Sequence, residues 1–239
     1  MSPTPHAVVT GGTRGIGFAI AGAMLAGGCR VLITGRDERR IAQAVSRLRS
    51  AVAGDGSIEG RVADVRDRAA VERAIADAVT LFGSIDTLIN NAGIGVFRAV
   101  TDLSDADWHS VLETNLTGVF YATRAAIPHM KRGGGGWIIN IASLAGRNYF
   151  AGGSAYCASK AALVAFSESV MLDVRNDNIR VSCVMPGSVA TEFNGPGPHD
   201  DESWKLTGDD IAEVVMDLLR HPSRSLPSKV EIRPAKTKA

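Results

Sequence analysis

The stretch VVTGGTRGIG, residues 8–17, lies where an apolar run at the start of the chain meets the first helix-like segment. The run that leads into it is apolar and β-branched, as in a buried strand, and the residues after Gly15 have the three- and four-residue apolar spacing of a helix. Glycines at 11, 15 and 17 permit a tight turn and a close approach of the backbone to another group. The stretch therefore predicts a strand, a glycine turn and a helix, in that order.

The same alternation continues along the whole chain. Strands covered on both faces are indicated by HAVVT (6–10), RVLIT (30–34), IDTLIN (85–90), GWIINIAS (136–143) and IRVSCVM (179–185), with weaker strands near 57–63 and 228–233. Helices are predicted over 15–27, 37–52, 67–81, 105–131, 154–175 and 208–220. We expect an α/β fold with a doubly wound parallel sheet of about seven strands and helices on both faces.

Domain organisation is simple in the sequence. There is no internal repeat and no linker, so residues 1–239 are predicted to form one domain. The irregular stretch NGPGPHDDES lies inside a segment of about 190–207 that we interpret as a mobile flap over a site.

Composition and charge exclude several classes of function. The formal net charge is +1, which gives no broad field for nucleic acid or an anionic membrane, and the longest uncharged stretch is too short and too rich in glycine to span a bilayer. Three widely spaced cysteines and five histidines without ligand spacing favour free thiols and no metal site. No secretory signal is visible at the N-terminus, so we expect a cytoplasmic protein.

The glycine turn favours a phosphate-containing ligand. The N-terminus of the helix that follows offers unpaired N–H groups to a phosphate, as in dinucleotide sites. The spacing Gly-x3-Gly-x-Gly differs from the common G-x-G-x-x-G fingerprint, and glycines here also serve plain helix–sheet packing. A nucleoside triphosphate loop is excluded, because the chain has no Gly-Lys dipeptide.

The end of the second strand, VLITGRDERR, distinguishes between two dinucleotides. NAD sites usually have an acid there, and NADP sites have an arginine for the 2′-phosphate. Gly35 stands in place of the acid and Arg36 follows, while Arg14 in the glycine turn could reach the same phosphate. NADP is favoured, with Asp37 as a ribose ligand for NAD the alternative.

The second reactive stretch is SAYCASKAAL, residues 154–163. Its Tyr156 and Lys160 are four residues apart, which places both side chains on one face of the predicted helix. A cation about 4 Å from a phenol supplies about 4 kcal/mol at an effective dielectric constant near 20, enough to lower the phenol pKa by about three units. The alternative is an accidental pair on a helix surface.

Together these motifs resemble the short-chain dehydrogenase/reductase family, including its 3-oxoacyl-[acyl-carrier-protein] reductase-like members. Tyr156-x3-Lys160 and Thr10-Gly11-x3-Gly15-Ile16-Gly17 carry the resemblance, and NNAG (90–93) follows in the family's order. The resemblance covers nearly the whole chain and implies a Rossmann-type fold, NADP(H) as coenzyme, and a homodimer or homotetramer.

The resemblance also implies roles for individual residues. Tyr156 would be the proton donor, Lys160 would bind the nicotinamide ribose, Ser143 would orient the substrate oxygen, and Asn115 would continue a proton relay. The coenzyme-binding set comprises Gly11, Thr13, Arg14, Gly15, Ile16, Gly17, Arg36, Asp64, Val65, Asn91, Ala92, Gly93, Tyr156, Lys160, Pro186, Gly187, Val189 and Thr191.

The function expected is hydride transfer between NADP(H) and a small carbonyl or alcohol substrate, in the direction that reduces a ketone or a 3-oxoacyl group. The alternatives are an NAD-dependent alcohol dehydrogenase with the same site and an NADP(H)-binding sensor without turnover. Apolar candidate pocket residues suit a hydrophobic substrate; they are Ile94, Val96, Phe97, Leu144, Tyr149, Phe150, Phe193 and Trp204.

Overall fold

A computed structural model describes residues 5–51, 56–194 and 203–236. All of its described strands belong to one parallel sheet, in the order β3-β2-β1-β4-β5-β6-β7. The strands are β1 (His6–Val9), β2 (Arg30–Gly35), β3 (Ser57–Val62), β4 (Thr87–Asn90), β5 (Gly136–Ile141), β6 (Ile179–Pro186) and β7 (Lys229–Ile232). The predicted doubly wound α/β fold is confirmed.

Helices connect successive strands on the two faces of the sheet. They are α1 (Gly15–Ala26), α2 (Glu38–Ala51), α3 (Arg68–Phe82), α4 (Asp105–Leu112), α5 (Gly118–Arg132), α6 (Ser154–Val174) and α7 (Gly208–Arg220). None of these helices is long and apolar enough to cross a membrane.

Two apolar layers hold the helices against the sheet because neighbouring strand residues point to opposite faces. Val9 of β1 packs in the layer that α1, α2 and α7 cover, and Val8 packs in the layer beneath α3, α5 and α6. Both layers are closed by fully buried aliphatic side chains such as Ile20 and Ile75. This packing holds the strands in place, and the residues at their carboxyl ends form the candidate site.

One predicted helix is interrupted. The segment 105–131 forms α4 and α5 with a π-helical turn, Glu113–Thr117, between them. Gly118 follows that turn, and a Cβ there would lie 2.8 Å from Val65, so only glycine lets α5 come this close to the end of β3. The turn places Asn115 inside the protein, fully buried.

The structure describes only part of the predicted flap. Residues 195–202 of the 190–207 segment lie outside the described ranges. At its base, Val189 and Leu206 form a parallel bridge, which joins the two ends of the segment.

Candidate active site

A cleft of about 810 Å³ opens at the carboxyl ends of the strands, where β1 and β4 are neighbours and the strand order reverses. Open α/β sheets bind ligands at such a switch point. Of the predicted site residues, all but Gly17 and Asn115 line this cleft. A second cavity, about 1000 Å³, lies at the opposite edge of the sheet and contains none of them.

The glycine turn forms the floor of one end of the cleft. Gly11 and Gly15 have φ angles of +66° and +55°, a left-handed conformation that other residues adopt at a cost. A Cβ on Gly11 would lie 2.9 Å from the Cα atom of Ala92. The chain therefore turns here with its backbone exposed, as the binding of a phosphate requires.

Gly17 lies behind this floor and acts through Asn91. A Cβ at position 17 would collide with the Asn91 amide, whose Nδ2 donates to the carbonyl oxygens of Thr10 and Gly11 at 3.0 and 3.1 Å. The Thr10 hydroxyl accepts bonds from the backbone N–H groups of Asn91 and Ala92. These bonds tie the end of β1 to the end of β4.

Arginines surround the end of β2. Arg36 and Arg40 both line the cleft, and a Cβ on Gly35 would lie 2.8 Å from the Thr13 methyl group, so an acid at position 35 does not fit. Asp37 is engaged elsewhere: its Oδ1 accepts from the Arg40 backbone N–H at 3.0 Å and caps α2. Arg36 and Arg40 thus bring positive charge to this end of the cleft, and Asp37 lies beside them with one carboxylate oxygen bound to the backbone.

Two further charged groups at this end have protein partners. Arg14 donates to the Glu192 carboxylate at 3.2 Å, a pair between the glycine turn and the base of the flap. Asp64 accepts three bonds from the Arg66 guanidinium, the shortest at 2.6 Å, and this contact lowers the pKa of Asp64 below its usual value. Sequence reasoning missed Arg40 and Glu192; Arg40 is only four residues after Arg36, but nothing in the sequence joins Glu192 to Arg14.

The ends of β5 and α6 bring the reactive groups together. Lys160 is buried, its Nζ lies 5.8 Å from the Tyr156 ring centroid, and it donates to the carbonyl oxygen of Ile141 at 2.9 Å. Ser143 follows β5, and its Oγ accepts from the Ala145 N–H at 3.1 Å. All three side chains border the same part of the cleft.

Burial sets the proton affinities of this pair. It raises the pKa of Tyr156, and the hydrogen bond with Ser143 only partly opposes the rise. It also lowers the pKa of Lys160 to about 8, because a charged ammonium is poorly solvated there. The expected net lowering of the Tyr156 pKa is therefore not found for the protein's own groups, because burial of the phenol has the larger effect.

Asn115 does not reach the cleft with its side chain. Its Oδ1 accepts from the Ile94 N–H at 2.8 Å, and its Nδ2 donates to the Ile94 carbonyl oxygen and to Ser159 Oγ. Ser159 in turn donates to the Tyr156 carbonyl oxygen at 2.7 Å. Asn115 thus fastens the segment after β4 to the first turns of α6, which carry Tyr156.

The end of β6 forms the remaining wall with Pro186, Gly187, Val189 and Thr191. Ala190 N–H donates to Leu206, and Leu206 N–H donates to Ser188, so the neighbours of Val189 make the bridge bonds. In a parallel pairing the peptide groups of Val189 itself take no part in these bonds, and Val189 lines the cleft. The Thr191 methyl group lies close to Gly15 across the cleft.

Part of the predicted apolar pocket is correct. Ile94, Phe97 and Phe193 line the cleft, and Phe150 contacts Phe97 with ring centroids 5.7 Å apart. Leu144, Val96, Tyr149 and Trp204 are not among its lining residues. Within the described ranges, no group of three or more histidine, cysteine or acidic side chains is placed to hold a metal ion.

Comparison with known proteins agrees with this geometry. A family model described as short chain dehydrogenase matches residues 5–202. An uncharacterized oxidoreductase of Staphylococcus saprophyticus is 33% identical over 95% of this chain and 96% of its own, and a 3-oxoacyl-[acyl-carrier-protein] reductase of Chlamydia pneumoniae is 38% identical over 78% and 74%. The crystal structure of a metagenomic short-chain oxidoreductase in complex with NADP superposes with a TM-score of 0.85, at 33% identity, over 99% of this chain and 100% of the other.

Proposed function

Since the chain belongs to the short-chain dehydrogenase family, and is an oxidoreductase of that family, we propose that it reduces a ketone or a 3-oxoacyl group with NADPH. The observation that carries the proposal is the convergence of Ser143, Tyr156 and Lys160 at one end of a cleft whose other end has a glycine turn and three arginines. NADPH, when bound, supplies the hydride.

The residues fit that coenzyme. Left-handed glycines leave room for a pyrophosphate at the N-terminus of α1. Arg14, Arg36 and Arg40 offer charge to the 2′-phosphate, whereas Asp37 is occupied in capping α2. Val189, which lines the cleft and whose peptide groups take no part in the bridge bonds, would hold the nicotinamide carboxamide, and the solved relative with NADP has the same fold.

Proton transfer is the task of the protein's own groups. Because burial keeps the Tyr156 phenol protonated at neutral pH, it is a proton donor to the developing alkoxide rather than a resting base. Ser143 donates its hydroxyl hydrogen bond to the same oxygen and fixes its position. Lys160 is mostly charged below pH 8 and stabilises the phenolate that remains.

The variant Tyr156→Phe tests this assignment. It should lose about 10²- to 10⁴-fold in kcat, as expected for removal of a general acid, while the Kd for NADPH changes little. Turnover is followed by the loss of NADPH absorbance over a panel of carbonyl compounds, and binding by fluorescence. Tyr121→Phe, at a partly buried position of α5 that does not line the cleft, is the matched control. Full turnover in Tyr156→Phe would refute the role, and tight NADPH binding without turnover on any carbonyl would favour a sensor.

Coenzyme choice has a separate test. Arg36→Ala should weaken NADPH about 10- to 100-fold, the value of a charged hydrogen bond, and leave NADH unchanged. An unchanged ratio of the two affinities would favour an NAD-dependent alcohol dehydrogenase.

Assembly and location belong to the same proposal. We place the protein in the cytoplasm as a single-domain homodimer or homotetramer. Its three cysteines are free and buried, as in a reducing compartment, and burial raises the pKa of Cys29 and Cys183 to about 11. The outer edge of β7 ends the sheet and offers a surface to a second copy. Light scattering after size exclusion distinguishes dimer, tetramer and monomer.

A further inference from the structure

Three aromatic rings meet at the reactive end of the cleft. The Phe97 ring centroid lies 5.5 Å from that of Tyr156 at an interplanar angle of 73°, and the Phe193 centroid lies 5.8 Å away at 58°. Both separations are within the range of favourable ring–ring contacts. Tyr156 is therefore flanked by two phenylalanines, and we call the three rings the aromatic clamp.

Gly95 makes this arrangement possible. A Cβ at position 95 would lie 2.7 Å from the Phe97 ring and 2.8 Å from the Phe193 ring, so both side chains reach over the same glycine. Its backbone is not left-handed, so conformational freedom is no reason for glycine at this position. Glycine is needed here because the two rings occupy the space that a side chain would fill.

The phenylalanines of the clamp come from different parts of the chain and face the cleft. Phe97 follows β4, Phe193 lies at the base of the flap after β6, and their exposed fractions are 43% and 39%. Exposed aromatic surface beside a reactive group is typical of a site that binds an apolar ligand. Ile94 extends the same uncharged wall.

We propose, on the basis of the reductase function above, that the aromatic clamp selects ketones whose carbonyl carbon is bonded directly to an aromatic ring. The Tyr156 hydroxyl must reach the carbonyl oxygen, and the same residue's ring belongs to the clamp. The part of a substrate that the clamp contacts is therefore the part next to the carbonyl. Flat rings gain edge and face contacts there that a saturated ring or a linear acyl chain cannot make.

Two ketones with the same carbon skeleton test the proposal. Acetophenone and cyclohexyl methyl ketone differ only in whether the ring is aromatic, and the measured quantity is the ratio of their kcat/KM values with NADPH. Intrinsic reactivity cancels when the ratio of a variant is compared with that of the wild type. Phe97→Leu and Phe193→Leu should each lower the ratio by about 2- to 10-fold.

Gly95→Ala is a second test, because its added methyl group displaces the Phe97 and Phe193 rings without removing them. It should also lower the ratio of the two kcat/KM values. Phe120→Leu is the matched control, because Phe120 is exposed to the same 39% as Phe193 but lies on α5, away from the lining of the cleft. Its ratio should remain within twofold of the wild type.

The outcomes separate this inference from the function on which it rests. If the wild type reduces both ketones and the ratio falls in the three clamp variants only, the inference is supported. If both ketones are reduced and the ratio does not respond to the clamp variants, the inference is overturned and the reductase function stands. If neither these ketones nor any other carbonyl is reduced, the function fails and the inference fails with it.

Discussion

Replacing Lys160 by methionine should change the free energy of unfolding in a pH-dependent way. The change should be more favourable to the folded protein at neutral pH than at high pH. Lys160 is buried, and burial lowers its pKa from 10.5 to about 8. A lysine whose folded pKa lies below its unfolded value weakens the fold at pH values below the folded pKa. The weakening fades as the pH rises from the folded value toward the unfolded one.

The size of the effect follows from the two pKa values. A shift from 10.5 to about 8 corresponds to a penalty of about 3 kcal/mol at pH 7 and about 1 kcal/mol at pH 9.5. The stability of Lys160→Met minus that of the wild type should therefore fall by about 2 kcal/mol between these pH values. Loss of the bond to the Ile141 carbonyl oxygen adds a constant cost that cancels in this comparison.

Urea unfolding of both proteins at pH 7 and pH 9.5 measures the difference. Lys131→Met is the control, because Lys131 is half exposed and its replacement removes no buried charge. A stability difference between Lys160→Met and the wild type that stays constant or grows with pH would refute the reasoning, since it would mean that the buried ammonium is fully compensated in the fold. Catalytic turnover should be lost in Lys160→Met at every pH.

The raised pKa of Tyr156 predicts opposite pH profiles for the two directions of the reaction. The rate of carbonyl reduction should be constant through the neutral range and fall only in alkali. The rate of alcohol oxidation should rise with pH, up to tenfold per pH unit, because this direction needs the phenolate. An oxidation rate that is highest at neutral pH would contradict this prediction. The pair between Arg14 and Glu192 predicts that Glu192→Gln binds NADPH up to about fivefold more tightly, since the exposed carboxylate no longer competes for the guanidinium. Calorimetry with NADPH and NADH checks it, and an equal gain for NADH would assign the effect to the flap rather than to the phosphate.

The sequence predicts the central strands well because they are buried on both faces and so form continuous apolar runs, whereas the edge strands β3 and β7 are partly exposed and give weaker patterns. The strand predicted at 30–34 is observed at Arg30–Gly35, and the glycine turn lies where its positive-φ residues require it. Prediction fails where a distant contact overrides local pattern. The π-helical turn within the predicted 105–131 helix coincides with the bonds of Asn115 to Ile94, and no local residue signals it.

Prediction from sequence also fails for the pKa of Tyr156, because the interaction of two side chains is considered without the effect of burial on each. Spacing along a helix brings Lys160 to Tyr156, but it says nothing of how deeply both are buried. Burial favours the neutral form of each, and so it raises one pKa while it lowers the other to about 8. On titration the ammonium therefore loses its proton before the phenol does. A phenolate beside a charged lysine, the form that alcohol oxidation needs, requires further positive charge in the cleft. Carbonyl reduction needs only a protonated phenol beside an ammonium. Both groups are in these forms at neutral pH, because the Tyr156 pKa is raised and the Lys160 pKa of about 8 is still above neutrality.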